Sequence, residues 1–288
     1  LKPILGLELT ATPIDSRGVT FKNVVYDYPL AKALQDGFVK EPAIATRRNF
    51  NPDQYRNDPK ELDLIKLEDG VRIHEDTKVA LDIYSRDTGN RLVRPFVLVV
   101  AKDTDHAKEI HEMIESEQFF EGRYKGKVIE IHSNQRGEEK EENVQKLLAL
   151  EKEDNTVEIV IHVNMLKEGW DVTNLYTIVP LRAANSRTLV EQSIGRGLRL
   201  PYGKRTGVSA VDRLTIVAHD RFDDIIREAN DQKSIIRTGI VIGRDIPLVA
   251  KKPVAIHSNL DMMLGIAPSA ISDDLLEKPA AKPTQPPL

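Results

Sequence analysis

The chain contains no cysteine, which excludes disulfide bonds, zinc sites built from thiolates and catalysis by a thiol. It has no apolar run close to the roughly 18 residues of a membrane-spanning helix, and runs such as Phe96–Ala101 have the length of a strand. Excess charge is small as well, because the formal net charge is −4 over 288 residues. Any contact with nucleic acid must therefore come from a local cationic patch and not from the field of the whole chain.

The composition is that of a globular protein, with 40% hydrophobic and 30% charged residues. A length of 288 residues is enough for two domains at roughly 150 residues each. The chain starts with Leu1 and Lys2 and shows no charged-then-apolar leader. We therefore expect an internal segment of a longer, cytoplasmic protein.

The middle of the chain alternates strand-like and helix-like segments. Residues 104–117 have apolar side chains at helical spacing, with Asp103 as the expected N-cap. The alternation predicts an α/β fold with a parallel sheet and right-handed crossovers, in which ligands sit at the carboxyl ends of the strands. The predicted strands are 96–101, 127–131, 157–163, 176–179 and 214–218, and the predicted helices are 104–117, 138–150 and 186–198.

The flanks are less regular. Residues 4–9 predict a buried strand, whereas residues 16–90 predict an irregular connector that holds one helix at 75–86. After Phe222 we expect a helix at 223–230, a strand pair within 235–246 and a proline-rich tail at 277–288.

The strongest candidate site lies in the helix that ends at Arg199. Gln192, Arg196 and Arg199 recur at i, i+4 and i+7 and so share one helix face. Two guanidinium groups on one face repel each other unless an anion lies between them, and their geometry suits phosphate oxygens. Gly195 and Gly197 each cost a helix about 1 kcal/mol, which favours close approach of a backbone or ligand. The alternative is a solvated basic face at a fraying helix end.

The surroundings of this helix are cationic. Residues 182–205 hold six positive side chains against Glu191 alone, a local charge of +5 in an acidic chain. This segment is the expected anion-facing edge. The six are Arg182, Arg187, Arg196, Arg199, Lys204 and Arg205.

A second candidate follows the third strand, where Gly169 permits a turn and Asp171 supplies a carboxylate. That acid could accept from a ribose hydroxyl or an arginine, or the segment could be a plain turn with the single tryptophan in the core. Two weaker signals are hydroxyls after the predicted strand at 4–9 and small polar donors after the predicted strand at 127–131. The first is also explained by a turn and the second by a helix entry. They are Thr10 and Thr12, and Ser133 and Asn134. No two histidines have the i, i+4 spacing of a zinc-binding helix, so we predict no metal site.

Three of these segments resemble motifs of superfamily 2 helicases. Leu9–Pro13 is similar to motif III, Met165–Val172 to motif V and Gln192–Arg199 to motif VI, while Phe96–Ala101 with its helix occupies the place of motif IV. The variety they most resemble is the Res subunit of type III restriction enzymes. The resemblance covers roughly Leu5–Arg227.

The resemblance implies a RecA-like fold of the P-loop NTPase type, with helices on both faces of the sheet and an irregular insertion before it. Such motors hold ATP and Mg²⁺ between two lobes, mainly on the first. This chain has neither a Gly-Lys-Ser/Thr sequence nor an Asp-Glu dipeptide, so we expect it to lack most of that lobe. The implied division is 1–25 as the last strand of the first lobe, 26–92 as a connector, 93–228 as the second lobe and 229–288 as an extension.

The resemblance also implies residue roles. Arg196 and Arg199 would reach the γ-phosphate, with Gln192 orienting them. Gly169 and Asp171 would touch the nucleotide or the lobe interface. The remaining implied roles are coupling of hydrolysis to lobe movement by Thr10 and Thr12, and DNA phosphate contacts by Ser133 and Asn134.

Two functions are consistent with the sequence. In the first, the chain is the second motor lobe of an ATP-dependent DNA helicase or translocase, whose parent could include a site-specific deoxyribonuclease and a Mod-like methyltransferase partner; this segment alone would be inactive. In the second, it is a non-catalytic module that binds nucleic acid or a partner. A phosphate loop upstream would favour the motor, and its absence would favour the module.

Overall fold

The protein is represented by a computed structural model, and its described residues all lie in one compact unit, Leu1–Ala250. A second unit, Lys251–Leu288, lies outside the described residues together with the predicted proline-rich tail. The described residues are 6–7, 19, 21–28, 30–47, 50–55, 57–132, 145–163, 172–181, 195, 197–219 and 238–248.

A single seven-stranded sheet organises these residues, with the order β3-β4-β2-β5-β6-β1-β7. Every strand pair in it is parallel. The strands therefore all begin at one edge, which we call the amino edge, and all end at the other, the carboxyl edge. The strands are β1 (Glu41–Arg47), β2 (Phe96–Val100), β3 (Val128–His132), β4 (Ile159–Val163), β5 (Leu175–Pro180), β6 (Arg213–Val217) and β7 (Thr238–Ile242).

Three α-helices are described: α1 (Leu30–Gln35), α2 (Pro59–Thr88) and α3 (Thr104–Ile114). The long helix α2 has clear ends. Asp58 caps its first turn by accepting from the Glu61 amide, and Gly89 ends it in the left-handed conformation at φ 69°.

Alternate strand residues face two different cores. One face packs against α2 and α3 and includes Val99 and Ile161 of the strands together with Leu67 and Ile110 of the helices. The opposite face carries Leu98 and its neighbours, which contact residues from the segments 145–150 and 197–200. Both faces of the sheet are thus covered, in accord with the fully apolar sequence of β2 at its centre.

The predicted α/β fold with a parallel sheet is confirmed. The five predicted strands are present as β2 to β6 with bounds shifted by one or two residues. Helix α3 also matches the prediction, since Asp103 caps it by accepting from the His106 amide and Ala107, Ile110 and Ile114 are buried.

The stretch predicted to be irregular differs from expectation. Helix α2 starts at Pro59, sixteen residues before the predicted Glu75, and β1 lies in the sheet between β6 and β7. Residues 41–47 therefore belong to the same sheet as the lobe that was predicted to begin at residue 93. The expected strand pair within 235–246 is a single strand, β7, followed by a turn.

Two smaller points complete the fold. Within the predicted helix 138–150, Leu147 is buried, whereas Leu148 is 50% exposed. Among the helices that the structure describes, none combines the length and apolarity needed to cross a membrane.

Candidate nucleotide-facing edge

Lys40 is the residue around which the amino edge is organised. It comes directly before β1 and has no exposed surface. Its ammonium group donates to the carbonyl oxygens of Thr173, at 2.7 Å, and Leu175, at 2.8 Å. Its backbone N–H donates to the carbonyl of Leu198 at 2.7 Å. One residue therefore joins the start of β5 to the end of the segment that carries Arg199.

The environment of this ammonium group is unusual for a lysine. Burial holds the pKa of Lys40 well below its ordinary value, and the carboxylates of Glu151 and Asp212 offset that effect only in part. The nitrogen also lies 3.8 Å from the centre of the Tyr176 ring, which attracts a cation. Carbonyl dipoles and a ring face thus replace the water that a lysine normally keeps.

Arg205 forms hydrogen bonds with residues on both sides of Lys40. Its guanidinium donates to the carbonyls of Leu34 and Val39, at 3.0 and 2.9 Å, and to the Glu41 carboxylate at 2.7 Å. Arg205 was predicted to belong to an anion-facing edge, but three protein acceptors occupy it in the structure. Its role is to hold the chain on both sides of Lys40 in place.

Arg199 is exposed and follows Leu198 at this same edge. Thr173, two residues after Asp171, is bonded to the same lysine as Leu198. Thr173, which follows the second candidate segment, and Leu198, which lies in the first, therefore meet at one edge of the sheet. The sequence predicted chemistry at the carboxyl edge, whereas the described residues Thr173 and Arg199 lie at the amino edge, where strands begin.

The two glycines of the predicted arginine helix differ. A Cβ on Gly197 would lie 2.7 Å from side-chain carbons of Leu214 on β6, so Gly197 permits close packing of the helix on the sheet. A Cβ on Gly195 would meet nothing within 4 Å. The prediction of a close approach is thus explained at Gly197 by side chains of the sheet.

A shallow recess lies beside Thr173. Its lining includes the cationic residues Arg91, Arg94 and Lys152 together with Glu151. Glu151 accepts from both the backbone N–H and the hydroxyl of Thr173, each at 2.6 Å. Thr173, directly after the second candidate segment, is therefore held in place from two sides, by Lys40 and by Glu151.

The other predicted site residues lie outside the described residues, and their roles stay predictions. They are Thr10, Thr12, Ser133, Asn134, Gly169, Asp171, Gln192 and Arg196.

A polar cluster that the sequence analysis missed lies at the carboxyl edge around Asp69 of α2. Arg47, the last residue of β1, donates two hydrogen bonds to its carboxylate, at 2.6 and 2.9 Å. Arg72 donates at 3.0 Å, and His219 lies 2.8 Å away. Burial alone would raise the pKa of Asp69, but the bonds from His219 and Arg47 outweigh burial and lower it. This cluster ties α2 to the ends of β1 and β6.

A smaller pair joins α2 to α3 at the carboxyl edge. The imidazole of His106 lies 3.1 Å from the Asp63 carboxylate through Nε2. Its other nitrogen, Nδ1, accepts from the Lys102 amide at 3.2 Å. The ring therefore fixes the start of α3, and with it the turn that follows β2.

One set of side chains in the described residues has the spacing of metal ligands: His74, Glu75 and Glu158. Lys127 and Lys78 donate to Glu158 at 2.6 and 2.8 Å, so the acid is already neutralised. Burial would raise the pKa of Glu158, but hydrogen bonds from His74 and both lysines hold it far below its usual value. The set is an ion-pair network and does not fit a magnesium site, whose ligands must be free to take up positive charge.

Comparison with known proteins identifies the lobe. Residues 90–201 match the helicase conserved C-terminal domain. This match, together with the parallel sheet, shows that residues 90–201 carry the C-terminal domain of a helicase. The predicted resemblance is thereby confirmed.

Individual relatives are more distant. The chain is 27% identical over 195 residues to the Res subunit of the type III restriction-modification enzyme EcoPI from Escherichia phage P1, covering 64% of this chain and 19% of that protein. It is 20% identical over 205 residues to IRC3 of Saccharomyces cerevisiae, assigned as an ATP-dependent helicase, covering 70% of this chain and 28% of IRC3. The chain thus spans less than a third of the curated relatives' length.

A solved structure supports the fold. A fragment assigned as the HsdR subunit of a type I restriction enzyme from Vibrio vulnificus superposes with a TM-score of 0.51 at 19% identity. The superposition covers 80% of this chain and 42% of that one. At this identity the likeness is evidence for the shared fold alone.

The sequence gives no direct signal for Lys40 or for Asp69. Lys40 precedes a short apolar run in a region that looked irregular, and Asp69 lies among charged residues in what looked like a connector. Recognition of β1 as a sheet strand would have placed Lys40 at a strand start, next to the other segments that begin there.

Proposed function

We propose that this lobe completes the nucleotide pocket of an ATP-dependent DNA helicase or translocase of the type III restriction enzyme Res kind. ATP is the substrate, and the hydrolysis site lies between this lobe and a first lobe. In the proposal, Arg196 and Arg199 stabilise charge on the γ-phosphate as it leaves, and Gln192 orients them. The observation that carries the proposal is the meeting of the Thr173 and Leu198 segments at Lys40.

The geometry supports this role for Arg199. Its neighbours Leu198 and Leu200 are buried, whereas Arg199 itself is exposed at the amino edge. An arginine on an anchored backbone with an exposed side chain can reach across a cleft to an anion on another lobe. Guanidinium groups suit this task because they donate from a rigid planar fork.

The other residues keep the roles that the family implies. Gly169 and Asp171 contact the nucleotide or the lobe interface, and the nearby anchoring of Thr173 supports their placement at the same edge. Thr10 and Thr12 couple hydrolysis to lobe movement. Mg²⁺ arrives with ATP and is held mainly by the first lobe.

DNA is the proposed polymer substrate, with Ser133 and Asn134 contacting its phosphates. In the sequence these residues directly follow β3, which ends at the carboxyl edge. ATP and DNA would then contact opposite edges of one sheet. A methyltransferase subunit is the proposed partner, by analogy with the relative from phage P1, which is named as a Res subunit of a restriction-modification enzyme.

The test is DNA-stimulated ATP hydrolysis by the full-length protein and its Arg199→Ala variant. We expect turnover to fall by on the order of 10³-fold, the lower end for an arginine finger, with ATP binding largely retained. Arg244→Ala is the matched control, since Arg244 is exposed at the carboxyl edge and pairs with its neighbour Asp245. Retained turnover in Arg199→Ala would remove the assignment.

The rival function is a non-catalytic module that binds nucleic acid through its cationic segment. It predicts DNA binding with a steep salt dependence by a full-length protein that does not hydrolyse ATP. Stimulation of hydrolysis by DNA would rule it out.

A further inference from the structure

Lys40 lies outside both arginine and glycine-aspartate segments and outside the matched helicase domain at residues 90–201. Nevertheless it bonds to Leu198 of the arginine segment through its backbone, and through its side chain to Thr173 and Leu175, which follow the glycine-aspartate segment. An ammonium group has three hydrogens to donate. Two carbonyl oxygens and the face of the Tyr176 ring surround it here.

We propose that Lys40 is a positioning residue of the nucleotide site, which holds the segment after Asp171 and the segment ending in Arg199 in one fixed relative position. This inference rests on the proposed function, because only nucleotide chemistry at the amino edge gives that position a consequence. Lys40 itself touches neither nucleotide nor DNA in the proposal.

The chemistry of the contacts requires a donor at this point. Two carbonyl oxygens repel each other, so the Thr173 and Leu175 carbonyls can converge only on a shared donor. A methionine would fill the same space without donating, and it would avoid the cost of burying an amine, which is the cause of the lowered pKa of Lys40. The presence of a lysine is therefore better explained by what it bonds than by packing alone.

The backbone around Lys40 is itself held firmly, so the lysine can serve as a fixed reference. Arg205 donates to Val39 on one side and to Glu41 on the other. Residue 41 also starts the β1 ladder with β6. A lost contact at the lysine tip would consequently move the Thr173 segment relative to Arg199. Misplacement of a catalytic group by about 1 Å can cost on the order of 100-fold in rate.

The first measurement needs no activity. Amide hydrogen exchange is compared between the full-length protein and Lys40→Met, a substitution of similar length that removes the donors. We expect faster exchange in residues 172–175 and 198–200, with residues 96–100 of β2 unchanged. Exchange in those two segments equal to that of the parent protein would overturn the positioning role, whether or not the protein hydrolyses ATP.

The second measurement is DNA-stimulated ATP hydrolysis at saturating DNA. For Lys40→Met we expect kcat to fall by about 10- to 100-fold, with KM for ATP changed less, because misplaced arginines lose transition-state contacts above all. Lys66→Met is the matched control, since Lys66 is a buried lysine on α2, within one turn of Asp69 at the carboxyl edge. It should lose stability and keep kcat per folded molecule.

The outcomes separate the two proposals. Altered exchange with unchanged kcat in Lys40→Met would overturn the link between Lys40 and catalysis. An equal loss of kcat in Lys66→Met would overturn that link as well, because general destabilisation would then explain the loss. A parent protein without ATP hydrolysis would refute the proposed function, while the exchange data would still decide whether Lys40 positions the two segments. Lys40→Arg retains charge and donors; it should restore slow exchange and part of kcat, and serves where Lys40→Met does not fold.

Discussion

At the scale of single residues, buried charge is what distinguishes this lobe. Asp69, Lys40 and Glu158 each sit where water is excluded or scarce, and each is satisfied by a specific set of partners. Such groups stabilise a fold only while their partners stay in place, because a buried charge that loses its partner retains its full desolvation cost. Substitution at these positions should thus have large effects.

Asp69→Asn should lower the free energy of unfolding by about 3 kcal/mol, since it leaves Arg47 and His219 without their common carboxylate. Chemical denaturation at neutral pH measures the change. Asp245→Asn removes an acid from the exposed pair with Arg244 and should change little. Equal effects for the two variants would show that the Asp69 cluster contributes no more than a surface ion pair.

His162 predicts a pH dependence. Burial lowers the pKa of this strand residue to about 4, against 6.5 for the unfolded chain. Between these values the unfolded state binds more protons, so stability should fall as the pH drops from 6.5 to 4, by at most about 3 kcal/mol. Above pH 6.5 His162 has no effect on the slope.

The measurement is urea denaturation across that pH range for the parent chain and His162→Leu. The difference between them isolates His162, because the other titrating groups contribute to both. The variant should be less sensitive to acid. Parallel curves would mean that His162 is protonated as easily in the fold as outside it.

At the scale of elements, the apolar strands could be predicted and α2 could not. Strand β2 is a continuous apolar run and β4 departs from one only at His162, and such runs indicate burial on both faces. Helix α2 buries Asp63, Lys66 and Asp69 against its own core, so its polar residues do not mark a solvent face. Hydrophobic periodicity fails as a signal where ion pairs are buried.

Gly70 is a second reason why α2 could not be predicted from the sequence. A glycine within a helix suggests a break, yet here a Cβ would lie 2.4 Å from Cγ2 of Val179 on β5. The glycine instead allows the helix to lie close against the sheet.

Gly70→Ala should accordingly destabilise the protein by about 1 to 3 kcal/mol, because the clash with Val179 exceeds the gain in helix propensity. Gly195→Ala is the matched comparison. A Cβ there meets open space, so that variant should be neutral or gain up to about 1 kcal/mol. Thermal unfolding of both checks the prediction, which fails if Gly70→Ala is the more stable of the two.

At the scale of the whole molecule, the sheet extends beyond the helicase domain that the family comparison matches. Strand β1 pairs with β6 on one side and β7 on the other, and it lies before residue 90 in the sequence. The motif-like segments at 165–172 and 192–199 can be recognised in the sequence, and both lie within the matched residues 90–201. The pairing that completes it depends on contacts between residues more than 150 positions apart, which local sequence patterns do not encode.

A truncation tests this organisation. A fragment of residues 93–228 lacks β1, β7 and α2, which leaves β6 with an open edge and uncovers one face of the sheet. We expect that fragment to aggregate or to unfold without a cooperative transition, and residues 30–250 to fold. Circular dichroism with thermal melting compares them. Cooperative folding of 93–228 would show that β1 is dispensable.

The sequence predicts the chemistry of the candidate site, but the location of its described residues differs from the prediction. The arginine and glycine-aspartate segments were recognisable from residue spacing, but their expected place was the carboxyl edge. The bonds from Lys40 to Thr173 and Leu198 put the described ends of both segments at the amino edge. Because a crossover from one parallel strand to the next runs from one edge to the other, a motif between strands can face either edge.

The most direct test of the account is amide hydrogen exchange of the full-length protein with DNA and a non-hydrolysable ATP analogue, compared with DNA alone. If the amino edge faces the nucleotide, the analogue should slow exchange in residues 172–175 and 197–200. Slower exchange confined to the carboxyl edge, at residues 101–103 and 217–219, would contradict the proposal that the amino edge faces the nucleotide.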